Sequence, residues 1–274
     1  MKNIDINSDK QKLINKIKKY IYIIKTEYPT LVSIPDTSDY NKIVHIENTK
    51  TISLFVSNNN FYFPLDVYYV LESLKKNPLY KSNPYHKTYD ENNLMINDNT
   101  FLTYIEHLVI KGCTPLEYFN EILLHEVMHF CGSNGADALM EGLNEYLTRS
   151  IALKYNLKTN GCAYYKEVKI INELALIFKE ETLKKISFSK SEDEIVDILN
   201  EENYEAINFF FTLRKIMNNE FYEKYYQFKF PGLNGPFEKA KKYNEINYEK
   251  AYELIEHYKN SIEQDKNLYQ KKQT

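Results

Sequence analysis

The sequence predicts an α+β protein that is predominantly α, with a small N-terminal sheet, two central helices and a helical C-terminal part. Residues 41–63 contain short β-branched runs between Asn-rich turns, and almost everything after residue 113 has helical periodicity. We expect three parts. Residues 1–112 form an N-terminal helix and a small mixed sheet, residues 113–156 a helix pair, and residues 157–274 a helical C-terminal subdomain.

Composition and charge exclude several classes of protein. With 43% hydrophobic and 27% charged residues among 274, the chain is typical of a soluble globular protein rather than a disordered one. The formal net charge of −3, with lysines and acidic residues interspersed, gives no electrostatic footprint for nucleic acid. Cys113, Cys131 and Cys162 are odd in number and form no C-x-x-C pair, which argues against a disulfide framework and a cysteine-based zinc site.

No targeting segment of a familiar kind is visible. The N-terminal stretch MKNIDINSDKQK is polar and lacks the apolar core of a signal peptide, and no apolar run is long enough to span a bilayer. We therefore expect a cytoplasmic protein with no membrane span, with export by a non-classical route as the alternative. The oligomeric state is not indicated.

The N-terminal part begins with an amphipathic helix at residues 8–28. Five apolar residues lie at helical spacing beneath a lysine-rich face: Leu13, Ile14, Ile17, Ile21 and Ile24. We expect a surface helix packed on a core, and contact with a membrane surface is the alternative.

Strands are expected near residues 43–47, 51–56 and 60–63. Helical spacing returns after Pro64, and residues 93–97 are consistent with one more strand. A further helix is expected to end at Gly112, although a strand there stays open.

Two central helices follow. Thr114, Pro115 and Glu117 stand at the N-cap, N1 and N3 positions of a capping box, so a helix is expected from there to about Cys131, with Gly132 as its stop. The next helix is expected from near residue 137 to about residue 155. Four or five amphipathic segments are expected over residues 163–264, interrupted near 187–194 and by a Pro/Gly turn at 230–237.

The first central helix contains H-E-x-x-H at His125, Glu126 and His129. Residues four positions apart lie on one helix face at a separation of about 6 Å, so both imidazoles can bind a single tetrahedral zinc ion. Glu126 lies 100° round the helix from His125, where it can act as general base toward a zinc-bound water. Chance gives this motif at this histidine content on the order of 1% of the time, and the alternative is two histidines on a partly buried face.

The third ligand has three candidates. The metzincin pattern fails, because its last histidine position is Gly135 and Asp137 is two residues out of register. If the second helix runs back antiparallel after a short loop, Glu141 returns level with the histidines and Glu145 lies about 6 Å deeper. We therefore predict Glu141 as the third zinc ligand. Glu145 is expected to accept a hydrogen bond from a ligand histidine, and the alternative for it is an exposed pair with Arg149.

The stretches HEVMH and EGLNEY together resemble the gluzincin metallopeptidases, especially aminopeptidases with a thermolysin-like catalytic domain. The resemblance covers about 25 residues, under a tenth of the chain. It implies a zincin-like catalytic core in which Glu141 is the ligand glutamate and Gly142, Glu145 and Tyr146 are the residues around it. Eleven residues separate His129 from Glu141, fewer than in those aminopeptidases, and no G-x-M-E-N exopeptidase motif is present.

Gluzincins also use a Tyr or His to steady the developing oxyanion. Tyr146, Tyr155 and His257 are candidates for that role, and the last is more typical of a surface helix residue. The remaining histidines, at positions 45, 86 and 107, have ordinary structural explanations. Cys131 is expected to be a buried filler at a helix end rather than a ligand.

These observations predict a zinc-dependent metallopeptidase that hydrolyses peptide or protein substrates. His125, His129 and Glu141 are expected to bind the zinc ion, and Glu126 to be the general base. The alternative is a catalytically silent, zincin-like metal-binding module with an interaction or regulatory role. A weaker alternative is metal-assisted hydrolysis of a substrate other than a peptide.

Overall fold

The computed structural model describes residues 6–37, 39–47, 55–64, 115–135, 137–159, 161, 163–221 and 246–271. Three strands lie in this part of the chain: β1 (Val44–Glu47), β2 (Phe55–Ser57) and β3 (Asn60–Pro64). Its helices are α1 (Ile6–Glu27), α2 (Tyr40–Ile43), α3 (Pro115–Phe130), α4 (Ala138–Lys154), α5 (Tyr165–Leu174), α6 (Glu180–Ser187), α7 (Glu192–Asn200), α8 (Tyr204–Phe221) and α9 (Glu249–Lys271). The chain is therefore mostly helical with a small three-stranded sheet, which confirms the predicted α+β, predominantly α class.

Several expected features fall outside the described residues. These are the helix after Pro64, the strand at 93–97, the segment ending at Gly112, the Thr114 cap and the turn at 230–237. His86, His107, Cys113 and Cys162 also lie outside them.

The described residues fall into two compact units. The first contains those up to 133 and those from 147 to 163, and the second contains 134–146, 164–221 and 246–271. The division passes through α4 after residue 146. The three-part division expected from the sequence stays a prediction.

The sheet in the first unit has the order β1-β3-β2, with β1 parallel and β2 antiparallel to β3. Asn58 and Asn59 connect β2 to β3 at φ 49° and 60°, as a two-residue type I′ hairpin requires. In such a hairpin, the pair next to the turn, Ser57 and Asn60, exchanges hydrogen bonds. The next pair does not, so the N–H of Val56 points away from β3 at the edge of the sheet.

Helix α1 buries the apolar face that the sequence predicts. Leu13, Ile14, Ile17, Ile21 and Ile24 are each at most 7% exposed, and Lys12, Lys18, Lys19 and Lys25 are exposed. The apolar face is thus packed within the protein, as expected of a surface helix packed on a core. Within the described part of the chain, no helix is long and apolar enough to cross a bilayer.

Helix α3 ends in a Schellman motif at Gly132, whose φ of +102° suits glycine. The Gly132 N–H donates to the His129 carbonyl at 2.9 Å, and the Ser133 N–H donates to the Met128 carbonyl at 3.1 Å. The next segment is held by the N–H of Asn134, which donates to the carbonyl of Ser187 at 2.7 Å. Gly132 is therefore a helix stop, as expected.

The second unit is built around an apolar core that includes the first half of α4. Leu139, Met140 and Leu143 pack there with buried residues of α5, α6, α7, α8 and α9, among them Ile170, Leu183, Leu199, Phe210 and Ile255. Gly142 lies against α5, where an added Cβ would come within 2.6 Å of the Glu167 Cβ. Glycine at this position thus permits close contact between α4 and α5.

Candidate metal centre

The two motif histidines lie one turn apart on α3 with their ring nitrogens facing each other. The Nε2 atoms of His125 and His129 are 3.2 Å apart, and the rings are nearly perpendicular, at 80°. A tetrahedral zinc ion with Zn–N bonds of about 2.0–2.1 Å holds two ligand nitrogens about 3.3–3.4 Å apart. The pair therefore already has nearly the spacing that one zinc ion requires.

The helix stop orients one of these rings. The Nδ1 of His129 lies 3.1 Å from the Ser133 carbonyl oxygen, and because that oxygen can only accept, Nδ1 carries the proton. This tautomer leaves Nε2 without a proton, as a metal ligand needs. Gly132 thus has a second consequence, since the turn that ends α3 also presents the carbonyl that fixes His129.

Glu141 comes to the same place from the first turn of α4. One ligand atom each from His125, His129 and Glu141 lies within 4.8 Å of the other two. Among the residues that the structure describes, this is the one group of three or more His, Cys, Asp or Glu side chains that could hold a metal ion. His₂Glu is a donor set that zinc accepts with one position left open. The three residues therefore match zinc by donor type, and the two histidine nitrogens also match it by spacing.

No protein-family model, curated protein or solved structure matches this chain.

Glu126 lies beside the first histidine and contacts the edge of the sheet. Its Oε2 accepts a hydrogen bond of 2.9 Å from the Val56 N–H, which points away from β3. The carboxylate is only partly buried. A backbone donor therefore fixes one oxygen of the predicted general base in an orientation set by strand β2.

The structure changes the interpretation of Glu145. This residue is 0% exposed, so the alternative of an exposed pair with Arg149 is wrong. The Arg149 guanidinium donates to the Ala163 carbonyl. A buried carboxylate needs compensating hydrogen bonds, which is consistent with a supporting role, but the bond to a ligand histidine stays a prediction.

The candidate oxyanion stabilisers have other surroundings. Tyr146 packs against the core of the second unit, and burial is the main cause that raises the pKa of its hydroxyl, followed by the charge of Glu180. The Tyr155 hydroxyl donates to Glu27 at 2.7 Å. His257 is exposed on α9, as expected of a surface helix residue. An oxyanion role for Tyr146 remains a prediction.

Two further residues have structural roles, as expected. His45 lies on β1, where its Nε2 is 3.1 Å from the Asn60 side-chain oxygen and its ring stacks on Tyr62. Cys131 is buried at the end of α3, and burial raises the pKa of its thiol to about 12. In the absence of a metal ion, a thiol with that pKa is protonated at neutral pH.

Sequence reasoning missed a buried carboxylate one turn before His125. Glu121 is 1% exposed, and its two oxygens accept hydrogen bonds from the backbone N–H groups of Gly161 at 2.6 Å and Ala163 at 2.7 Å. It fastens the segment after α4 to α3. Its position four residues before His125, on the same helix face, is the one signal that the sequence offers.

Proposed function

We propose that this protein is a zinc-dependent metallopeptidase of gluzincin type. The observation that carries the proposal is the convergence of His125, His129 and Glu141 within 4.8 Å, with Glu126 adjacent in the motif. The local resemblance of HEVMH and EGLNEY to gluzincins supports the same conclusion. A zincin-like catalytic core and a peptide or protein substrate are parts of the proposal.

The roles of the residues follow from their chemistry. A zinc ion held by His125, His129 and Glu141 would act as a Lewis acid and would lower the pKa of a bound water toward neutrality. Glu126 accepts a proton as the water oxygen attacks the scissile carbonyl carbon. It then delivers the proton to the amide nitrogen as the C–N bond breaks, so that an acid and an amine leave. The Ser133 carbonyl oxygen, 3.1 Å from Nδ1, holds the His129 ring so that Nε2 is turned toward His125.

The experiment combines zinc titration with a broad peptide-library screen of the zinc-loaded protein. We expect one zinc ion per chain and peptide cleavage that falls by at least about 100-fold in Glu126→Gln, because general-base catalysis contributes about that much or more. Zinc binding is expected to persist in this variant, since Glu126 is not a ligand. Glu205→Gln makes the same chemical change at an exposed residue of α8 and is expected to leave both properties unchanged.

One observation favours the second candidate, a metal-binding module that does not cleave peptides. The Glu126 carboxylate already accepts the Val56 N–H, a contact that orients a base but also occupies one of its oxygens. Stoichiometric zinc binding with no cleavage anywhere in the library would support this module and contradict the peptidase. Cleavage that survives in Glu126→Gln would contradict the assigned mechanism.

A further inference from the structure

We propose that the ion pair between Asp137 and Arg214 is a positioning device that holds the first turn of α4 and thereby sets the zinc affinity of the candidate centre. The inference rests on the proposed function, because it takes Glu141 as the third ligand. It adds two residues that contact no ligand atom and act through the helix on which Glu141 lies.

Asp137 holds the start of α4 through its side chain and its backbone. Its Oδ1 accepts hydrogen bonds from the N–H groups of Leu139 and Met140, each 3.1 Å long. Its carbonyl accepts the N–H of Glu141 at 2.8 Å. Asp137 is therefore the N-cap of α4, and Glu141 is the residue that closes the first turn on it.

Arg214 contacts the oxygen of the Asp137 carboxylate that does not take part in capping. Its Nε donates to Asp137 Oδ2, and its Nη1 donates to Glu192 at 2.9 Å. The Asp137 and Arg214 side chains are 6% and 15% exposed, whereas that of Glu192 is 71% exposed. An N-cap requires one oxygen only, so the arginine adds a second constraint that fixes the carboxylate and ties it to α8.

The ion pair constrains the first turn of α4, which carries the proposed third ligand, Glu141. The first turn of a helix has the fewest internal hydrogen bonds and frays most easily. A metal site, however, needs its ligand atoms held to within about half an ångström. If the cap carboxylate turns, the backbone of Glu141 moves with it, while the histidines on α3 keep their own Schellman turn. Loss of the ion pair is therefore expected to weaken the glutamate ligand selectively.

The variants separate the ion pair from the cap. Asp137→Asn keeps a capping oxygen but removes the charge that Arg214 contacts, and Arg214→Gln removes the other partner. Arg214→Lys restores the positive charge with a single donor group.

Two further variants are controls. Glu192→Gln removes only the outer contact of the same arginine. Ser191→Ala removes the N-cap of α7, where the side chain accepts the Glu194 N–H, from a helix without a ligand in the same unit.

The measurement is zinc affinity by competition with a chromophoric chelator, together with the visible spectrum of the cobalt(II)-loaded protein. We expect Asp137→Asn and Arg214→Gln to bind zinc about 10- to 100-fold more weakly, the range seen when groups that orient ligands are lost. Their cobalt spectra are expected to shift toward that of Glu141→Ala, with partial rescue in Arg214→Lys. Glu192→Gln and Ser191→Ala are expected to stay within about twofold of the native protein.

Thermal unfolding of the metal-free proteins sets a temperature at which every variant is folded. If Asp137→Asn and Arg214→Gln then bind zinc with native affinity and a native cobalt spectrum, the pair is merely structural and the inference is overturned. That result would leave the proposed function intact, because the native protein still binds zinc. A native protein that binds no zinc would overturn both, and Ser191→Ala weakening zinc as much as Arg214→Gln would overturn the inference alone.

Discussion

At the residue scale, the candidate centre depends on the hydrogen bonds that orient each of its side chains. His129 is oriented by the Ser133 carbonyl, and Glu126 by the Val56 N–H. Glu141 follows the first turn of α4, which Asp137 caps. A backbone group at the end of a helix or the edge of the sheet constrains His129 and Glu126, whereas a side-chain cap constrains the turn that carries Glu141.

The choice between the two glutamates of α4 is tested by zinc affinity. We expect Glu141→Ala to lose stoichiometric zinc binding because it removes a ligand. Glu145→Ala is expected to keep zinc with an affinity about 10- to 100-fold lower, because it removes only a supporting group. Isothermal titration of both proteins with zinc measures the difference.

Glu145→Gln is the control, because it keeps the volume of this fully buried side chain and separates the loss of charge from the cavity that alanine leaves. If Glu145→Ala lost zinc while Glu141→Ala retained it, the assignment of the third ligand would be reversed.

Helical periodicity accounts for the part of the site that the sequence could predict. H-E-x-x-H places two imidazoles on one face, and a short loop returns Glu141 to their level. The burial of Glu145 could not be predicted with the same ease, because Glu145 and Arg149 four residues apart also fit an exposed ion pair.

At the element scale, Gly142 determines how closely α4 and α5 pack. Its missing side chain lets the backbone and Cβ of Glu167 approach, and Glu167 is itself buried and accepts a hydrogen bond of 2.5 Å from the Tyr248 hydroxyl. The sequence offered Gly142 only as part of the EGLNEY resemblance. The structure gives it a steric reason.

Gly142→Ala is expected to destabilise the fold even though alanine favours helices. The helix propensity gain is about 1 kcal/mol. The new Cβ would lie 2.6 Å from the Glu167 Cβ and 3.2 Å from its backbone carbon, so a helix backbone has to move. Overpacking of this kind costs about 1–3 kcal/mol or more, and we expect a net loss of free energy of unfolding in denaturant titrations.

Ser150→Ala changes an exposed position on the same helix and is the matched control, expected to alter stability by no more than about 0.5 kcal/mol. A Gly142→Ala protein as stable as Ser150→Ala would show that the contact between α4 and α5 is looser than the structure indicates.

Local signals explain why the helix boundaries were predictable. The glycine stop at 132 and the polar cap before α4 leave their marks within a few residues. The contact between Arg214 and Asp137 joins residues 77 positions apart, and Val56 lies 70 positions from Glu126. Pairings at such separations come from tertiary packing, and a single sequence carries no local pattern for them.

At the scale of the whole molecule, the fold class was predictable but the strand order was not. Sequence periodicity distinguishes helices from strands, and it predicted the mostly helical chain with a small sheet that the structure has. The parallel pairing of β1 with β3, and the place of β2 at the edge, depend on the tertiary structure. That edge matters for the site, because it supplies the donor to Glu126.

The most direct test of the central claim is a crystal structure of the zinc-loaded protein, with diffraction data collected on both sides of the zinc absorption edge. We predict one anomalous peak at about 2.0–2.2 Å from the Nε2 atoms of His125 and His129 and from a carboxylate oxygen of Glu141. A zinc-loaded crystal with no peak at these three atoms, or with its zinc ion bound elsewhere, would contradict the account.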